Sequence, residues 1–164
     1  MARVLIVGCG CRGQALARAL REQGHAVRGT TRSADRRSAI EATGAEVWIG
    51  DPDRIATLSG ALDGVTLLCW LMGSASGSPQ QLAALHGPRL RMLLQRTIDT
   101  TVRGLLYEAA GSVPGDLLAA GAQTVREACG RSEIPYALLE TAPQGSRSAW
   151  LDDALARVEV LLAA

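Results

Sequence analysis

The feature that most constrains the fold is a glycine-rich turn close to the start of the chain. The apolar run 4–7 leads into Gly8-x-Gly10-x-x-Gly13, and apolar residues at helical spacing follow it. In such a turn the first glycine permits a tight exit from a strand, the second lets a pyrophosphate approach the backbone, and the third lets the helix pack closely. The free amides and the dipole at the start of the helix favour phosphate. The turn therefore predicts a dinucleotide site, formed here by Gly8, Gly10, Cys11, Arg12 and Gly13.

Strand and helix patterns alternate along the rest of the chain, with short turns between them. This alternation is typical of a parallel sheet covered by helices on both faces. The predicted strands are 3–8, 25–32, 46–50, 65–71, 102–109 and 136–140. The predicted helices are 12–23, 34–43, a short one within 51–62, 90–99, 115–131 and 150–162. With right-handed crossovers these strands give the order 3-2-1-4-5-6. We therefore expect a single doubly wound α/β Rossmann domain over residues 1–164.

A second informative stretch lies at the end of the second predicted strand. Where an acidic residue would bind the ribose of NAD, the chain has Thr30-Thr31-Arg32-Ser33, and no carboxylate occurs before Asp35. These side chains suit a 2′-phosphate, because a guanidinium pairs with phosphate through two hydrogen bonds. The stretch favours NADP over NAD, with Thr31 and Arg32 as contacts. The alternative is that Arg32 and the arginines after it form only the solvated start of a helix.

Overall composition argues against several classes of function. The formal net charge is +1, so nothing in the charge points to a nucleic-acid or membrane-surface partner. No apolar run approaches the length of a membrane span and no signal peptide precedes the first strand, which predicts a cytoplasmic protein. Cys9, Cys11, Cys69 and Cys129 lack metal-ligand spacing and predict free thiols. No metal site is expected, and the abundance of Ala, Gly and Arg is typical of a high-GC bacterial genome.

The glycine turn, the helix after it and Gly24-His25-x-Val27-x-Gly29-Thr30-Thr31-Arg32 together resemble the atypical short-chain dehydrogenase/reductases, in their epimerase-like and NmrA-like branch. The resemblance implies that Asp51, after Gly50, contacts the adenine amino group. It also places Leu71, Met72 and Gly73 where the family's fourth strand meets the ribose and the nicotinamide of the cofactor. Segment 134–139 is similar to the family's sixth strand, although residues 140–143 replace the Arg-Pro that usually follows it.

The chain departs from this family where a reductase needs its proton donor. Reductases of the superfamily use a Tyr-x-x-x-Lys pair, in which the lysine lowers the pKa of the tyrosine. All 17 basic residues of this chain are arginines, so that pair is impossible. Tyr107, near the carboxyl end of the fifth predicted strand, is a candidate for an unassisted acid oriented by Glu108. The alternative is an ordinary tyrosine of the sheet, and no other catalytic residue is assigned.

Two functions from different classes are compatible with these features. The first is a small NADPH-dependent oxidoreductase or epimerase-like enzyme that acts on a small-molecule substrate. The second is a catalytically silent, nucleotide-sensing or partner-binding protein of NmrA-like type. The missing Tyr-x-x-x-Lys pair favours the second. The predicted loops 73–88 and 141–148, long enough to enclose a substrate, favour the first.

A few other residues have expected roles of their own, and for some of them two roles remain open. Cys11 is either a thiolate stabilised by the start of the helix or a small residue tolerated beside phosphates. Of the two histidines, His25 is expected to be structural and His86 to lie in a surface loop. Trp70 belongs either to the core or to the wall of the cofactor site. The last predicted helix has a broad apolar stripe, part of which faces either the same subunit or a second one in a homodimer.

Overall fold

The computed structural model describes residues 1–164. The fold is built on one sheet of six parallel strands. The strands are β1 (Arg3–Val7), β2 (Ala26–Thr31), β3 (Glu46–Ile49), β4 (Leu67–Trp70), β5 (Gly104–Glu108) and β6 (Tyr136–Leu139). Their order across the sheet is β3-β2-β1-β4-β5-β6, which confirms the predicted α/β topology. Val4 of the central strand is in register with Val27 on one side and with Leu67 on the other. A crevice opens at the carboxyl ends of β1 and β4, where proteins of this topology bind ligands.

Helices cover both faces of this sheet. They are α1 (Cys11–Glu22), α2 (Arg37–Glu41), α3 (Pro79–Leu85), α4 (Pro88–Thr97), α5 (Gly115–Ser132) and α6 (Arg147–Ala163), with 3₁₀ segments at Ala34–Arg36 and Ile55–Leu62. None of them combines the length and the apolar composition needed to cross a bilayer.

The sheet separates two apolar cores. In the first, the second 3₁₀ segment packs with α3, α4 and α5 against the face that carries Trp70 and Tyr107. In the second, α1, α2 and α6 pack against the face that carries Ile6, Cys69 and Leu106. Because successive strand residues point to opposite faces and both faces are covered, the central strands β1, β4 and β5 are apolar except for Arg3 at the start of β1 and Glu108 at the end of β5.

The last helix returns to the face of the sheet that α1 covers. Its side chains Trp150, Ala154, Val158 and Leu161 are buried, and further leucines of the same helix pack against the same core. Most of the predicted apolar stripe is therefore used within the chain. Val160, 69% exposed, is the large apolar side chain of α6 that stays on the surface.

The segment after β4 differs from its prediction. Residues 73–88 were expected to be a loop, which is wrong, because α3 occupies Pro79–Leu85. The Ser78 hydroxyl accepts a hydrogen bond from the Gln81 amide, and the Gln81 side chain accepts one from the Ser78 amide. This reciprocal capping box satisfies amides at the helix start and lets a short, polar helix form. The predicted helix 34–43 is likewise divided into a 3₁₀ turn and the five-residue α2.

Candidate functional site

The glycines of the first turn meet three different surroundings. Gly8 has a φ of +88°, a conformation that side chains rarely adopt, and a Cβ there would collide with the Leu71 carbonyl oxygen. A Cβ on Gly13 would lie 3.0 Å from the Gly8 carbonyl oxygen and 3.3 Å from Ile6. These two glycines therefore let α1 and the exit of β4 pack closely on β1.

Gly10 differs from the other two glycines of the turn. Its φ of −81° and ψ of −158° are open to any residue, and a Cβ there would meet nothing within 4 Å. Gly10 precedes α1, whose start has no capping side chain and no acidic residue in its first turn. The amides of that first turn have no acceptor within the helix. The empty space at Gly10 is thus a cradle beside free N–H donors, which suits a phosphate group.

A cleft of about 350 Å³ extends from this cradle across the carboxyl ends of β1 to β4. Its lining comprises Gly8, Cys9, Gly10, Arg12, Thr30, Thr31, Arg32, Ser33, Arg36, Gly50, Pro52, Leu71, Met72, Ser74, Ala75 and Ser76. A smaller cavity of about 100 Å³ adjoins it at the start of α1 and is lined by Gly8, Gly10, Cys11, Arg12, Gly13, Leu71, Glu108 and Trp150. Nine of the eleven predicted binding residues line one or both spaces.

The other two predicted binding residues lie beside the cleft. One carboxylate oxygen of Asp51 accepts a hydrogen bond from the Asp53 amide at 2.9 Å and so stabilises the local turn. Its neighbours Gly50 and Pro52 line the cleft. Gly73 donates its amide to Glu108 Oε1 at 2.8 Å. Neither Asp51 nor Gly73 lines the cleft or the smaller cavity itself.

Arg12 lies between the two cavities and lacks a hydrogen-bond partner at a buried nitrogen. Its Nε is 3.9 Å from Glu108 Oε2, close enough for charge attraction but too far for a hydrogen bond. Its guanidinium carbon is 5.8 Å from the centre of the Trp150 ring. A buried donor without an acceptor is costly, and an anionic ligand in the cleft would supply the missing acceptor.

Glu108 is a buried carboxylate that the sequence suggests only as a partner of Tyr107 and not as a residue of the cofactor site. Its two oxygens accept hydrogen bonds from the Gly73 amide at 2.8 Å and from Trp150 Nε1 at 3.0 Å. Burial raises the pKa of Glu108, while the Gly73 amide, Arg12 and Trp150 act in the opposite direction. Glu108 thereby connects β5, the exit of β4 and α6. Its position at the end of an apolar strand was a visible signal, since ligands bind at such ends.

The exit of β2 supplies polar and cationic groups to the other end of the cleft. The Thr31 hydroxyl donates to the Ser33 carbonyl at 3.1 Å and accepts from the Ser33 amide at 3.2 Å. Arg32 and Arg36 are exposed, line the cleft and form none of the ion pairs of the chain. Arg37, by contrast, pairs with Glu41 at 3.4 Å. Two unpaired guanidinium groups therefore face this end of the cleft.

Tyr107 lies on the opposite face of the sheet from Glu108 and does not line the cleft. It is fully buried, and its hydroxyl is 2.7 Å from His86 Nδ1. His86 Nε2 is 3.0 Å from the Met72 carbonyl oxygen. The expectation of a surface loop for His86 is wrong, because this residue is 1% exposed at the end of α3. Glu108 does not orient Tyr107, since neighbouring strand residues point to opposite faces.

Burial shifts the pKa of Tyr107 and the pKa of His86 in the directions that favour the neutral form of each side chain. The pKa of Tyr107 is raised by burial and by the negative charge of Glu108. The pKa of His86 is lowered by burial, against the opposing effect of the Met72 carbonyl. Both side chains are therefore neutral at physiological pH, and Tyr107 is poorly suited to donate a proton into the cleft.

The remaining candidates have simple positions. Trp70 is fully buried in the first core. His25 accepts a hydrogen bond from the Ala2 amide at 3.2 Å. All four cysteines are free thiols and only Cys11 is exposed; burial raises the pKa of Cys9 to about 12. No three His, Cys, Asp or Glu side chains converge as a metal site would need.

Solved structures with the same fold are numerous. A short-chain dehydrogenase/reductase superfamily protein from Agrobacterium tumefaciens with bound NAD has a TM-score of 0.69 at 22% identity, over 84% of this chain and 48% of that one. UDP-glucuronic acid 4-epimerase from Bacillus cereus in complex with NAD has a TM-score of 0.67 at 15% identity, over 84% and 55%. Triphenylmethane reductase from Citrobacter sp. has a TM-score of 0.65 at 20% identity, over 85% and 48%.

These similarities confirm the predicted resemblance at the level of the fold. The chain spans about half the length of the structures it matches. No protein-family profile matches the sequence, and no curated protein matches it.

Proposed function

We propose that this chain binds NADP(H) in the cleft at the carboxyl ends of β1 to β4, as a Rossmann protein of the short-chain dehydrogenase/reductase kind. The fit rests on two features described above. Gly10 leaves a cradle that a Cβ would enter, and Arg12 holds a buried Nε with no acceptor. Both suit a pyrophosphate beside the start of α1. The fold neighbours with bound NAD support a nicotinamide dinucleotide as the ligand.

The observation that carries the choice of NADP over NAD is the exit of β2. No carboxylate lines this end of the cleft, whereas Thr31, Arg32, Ser33 and Arg36 all do. A carboxylate would repel a 2′-phosphate, and the hydroxyl and guanidinium groups can donate to it. In the proposed complex the glycine turn and Arg12 hold the pyrophosphate, and Arg32 and Arg36 hold the 2′-phosphate.

Two uses of the bound nucleotide follow from different observations. NADP(H) supplies a hydride when an enzyme uses it, and the likeness to a reductase and an epimerase supports an oxidoreductase or epimerase-like activity on a small molecule. The alternative is a catalytically silent sensor or partner-binding protein. The chain has no lysine, and Tyr107 is buried away from the cleft. Because no proton donor of the expected kind reaches the site, the geometry favours the sensor.

The substitution Arg32→Ala tests the proposed cofactor preference. One charge-assisted contact to phosphate contributes about 1.5–3 kcal/mol, on the order of ten- to a hundredfold in affinity. We expect the variant to bind NADPH more weakly by about that factor and to bind NADH almost unchanged, as measured by isothermal titration calorimetry. Added salt should weaken NADPH binding more than NADH binding, because exposed ion pairs are screened.

Arg91→Ala is the matched control for this experiment. Arg91 is an exposed arginine of α4 that does not line the cleft. The control removes the same charge and should leave the ratio of NADPH to NADH affinity at its original value. An unchanged ratio in Arg32→Ala would mean that Arg32 is only a surface arginine.

A further inference from the structure

We infer that the site recognises the 2′-phosphorylated adenosine diphosphate half of the dinucleotide and provides no pocket for the nicotinamide half. This inference rests on the proposed NADP(H) binding and specifies which part of that ligand the chain contacts. The ligand class is then any 2′-phosphoadenosine 5′-diphosphate derivative, whatever group follows the second phosphate.

The lining of the main cleft comes from one side of the sheet. It is built by the glycine turn, by the exits of β2 and β3, and by the segment 71–76 after β4. No residue after β5 or after β6 contributes to it. In a sheet of this order the two halves of a dinucleotide lie on opposite sides of the switch between β1 and β4. The cleft therefore covers the adenosine side and stops at the exit of β4.

The exits of β4 and β5 close against each other. The Val113 amide donates to the Gly73 carbonyl at 3.0 Å, and the Ser112 amide donates to the Ser74 hydroxyl at 3.3 Å. A Cβ on Gly111 would collide with the Gly73 carbonyl oxygen, so the two backbones are in direct contact. These contacts occupy the space between the ends of β4 and β5, where a nicotinamide would need to enter.

The smaller cavity, which is lined by Glu108 of β5, is too small for a small-molecule ligand. Its volume is about 100 Å³, whereas pockets for small molecules are about 300–1,000 Å³. Two of its walls, Glu108 and Trp150, are already hydrogen bonded to each other at 3.0 Å. Glu108 uses its other oxygen for the Gly73 amide. Glu108 and Trp150 are thus committed to each other and to the Gly73 amide.

One consequence concerns the oxidation state of the ligand. NADP⁺ and NADPH differ only at the nicotinamide ring, so a site that contacts the other half binds both equally. Such a protein responds to the total amount of NADP(H) and not to the ratio of its two forms. This behaviour separates the inference from any hydride-transfer function.

Calorimetric titration of the full chain with four ligands tests the inference. NADP⁺, NADPH and 2′-phospho-ADP-ribose should bind with Kd values within about threefold of one another. Nicotinamide mononucleotide should show no binding at millimolar concentration. If NADP⁺ or NADPH bound tenfold or more tightly than 2′-phospho-ADP-ribose, the nicotinamide half would have a site and the inference would be wrong. If none of the first three bound, the proposed function itself would fail, and the inference with it.

A second measurement locates the contact within the bound ligand. In saturation-transfer difference NMR of NADP⁺, the adenine protons should receive strong saturation and the nicotinamide protons about a tenth as much or less. Comparable saturation of both rings would overturn the inference.

The variant Trp150→Phe provides a further check at the small cavity. It should leave the ratio of NADP⁺ affinity to 2′-phospho-ADP-ribose affinity unchanged. A shift of that ratio beyond about threefold would place the nicotinamide against α6.

Discussion

Gly8, Gly10 and Gly13 stand within six residues of one another, yet a side chain would meet different surroundings at each. Because space is open around Gly10, Gly10→Val should fold normally while its side chain occupies the proposed phosphate cradle. We expect NADPH affinity to fall at least about tenfold, which corresponds to about 1.4 kcal/mol, with little change in Tm. Calorimetric titration and thermal unfolding of the same preparation measure both quantities.

Gly13→Ala is the control for that prediction. Its Cβ would lie 3.0 Å from the Gly8 carbonyl oxygen, so the variant should lose about 1–3 kcal/mol of folding free energy through overpacking. Wild-type affinity in folded Gly10→Val would show that the pyrophosphate site is elsewhere.

Glu108 makes the stability of the folded chain depend on pH. Burial raises its pKa in the folded state, so the folded chain holds this proton more tightly than the unfolded chain, where the value is about 4.3. The stability that this group contributes is therefore complete below about pH 4.3 and is lost as pH rises through the folded pKa. In Glu108→Gln that loss is absent. The unfolding free energy of the variant minus that of the wild type should increase between pH 4 and pH 7, as followed by urea denaturation; a constant difference would contradict the shift.

Tyr107 tests the distinction between a catalytic and a structural tyrosine. Tyr107→Phe removes the partner of His86 Nδ1, 2.7 Å away, and leaves a buried polar atom unsatisfied. We expect a loss of about 1–3 kcal/mol in unfolding free energy and an NADPH affinity near that of the wild type. Tyr136→Phe, at a half-exposed tyrosine outside the cleft, should change stability by less than about 0.5 kcal/mol. Equal stability of the two variants would argue against the His86 contact.

At the scale of elements, two of the three glycines of α5 have opposite expected effects when replaced by alanine. A Cβ on Gly121 would collide with the Tyr107 hydroxyl and lie 3.3 Å from the His86 carbonyl oxygen, whereas one on Gly130 would meet nothing within 4 Å. Gly130→Ala should therefore stabilise the chain by up to about 1 kcal/mol through helix propensity. Gly121→Ala should destabilise it by about 1–3 kcal/mol through overpacking. Chemical denaturation of both variants gives the signs directly, and the same sign for both would refute the packing of α5 on Tyr107.

The sequence predicts the strands better than the segment between β4 and β5. Strands covered on both faces are continuous apolar runs, so their positions and order follow from the sequence itself. α3 was missed because Gly, Ser and Pro before it suggest a loop and its apolar positions are few. Ser78 and Gln81 nevertheless have the spacing of a capping box, which was a usable signal.

The two ends of the candidate site also differ in how well the sequence predicts them. The glycine turn and the exit of β2 are contiguous in the sequence, so local chemistry was enough to name their residues. The pair of Glu108 and Trp150 joins residues 42 positions apart. Such a contact depends on how α6 folds back over the sheet, which periodicity alone does not specify.

At the scale of the whole molecule, the two cores share one sheet and each contains a fully buried tryptophan. Trp70 reports on the first core and Trp150 on the second. We propose that residues 1–164 form a single domain, which predicts that both cores unfold together. In a Trp48→Phe background, the fluorescence of Trp70→Phe and Trp150→Phe variants, each followed in urea with far-UV circular dichroism, should give coincident transitions within each variant. The background removes Trp48, which packs against the first core and would otherwise contribute to both signals. A fluorescence midpoint that departs from the circular-dichroism midpoint in either variant would show that the two faces unfold separately.

The open space at Gly10 also has a consequence for how nucleotide binding can be lost in evolution. A glycine codon becomes an alanine, valine or charged-residue codon by a single base change, and at this position the backbone tolerates any of them. A lineage could therefore abandon its nucleotide in one mutational step while selection for a stable protein continued to retain Gly8 and Gly13. Among descendants of this chain, the residue at position 10 would then distinguish those that still bind from those that keep only the inherited architecture.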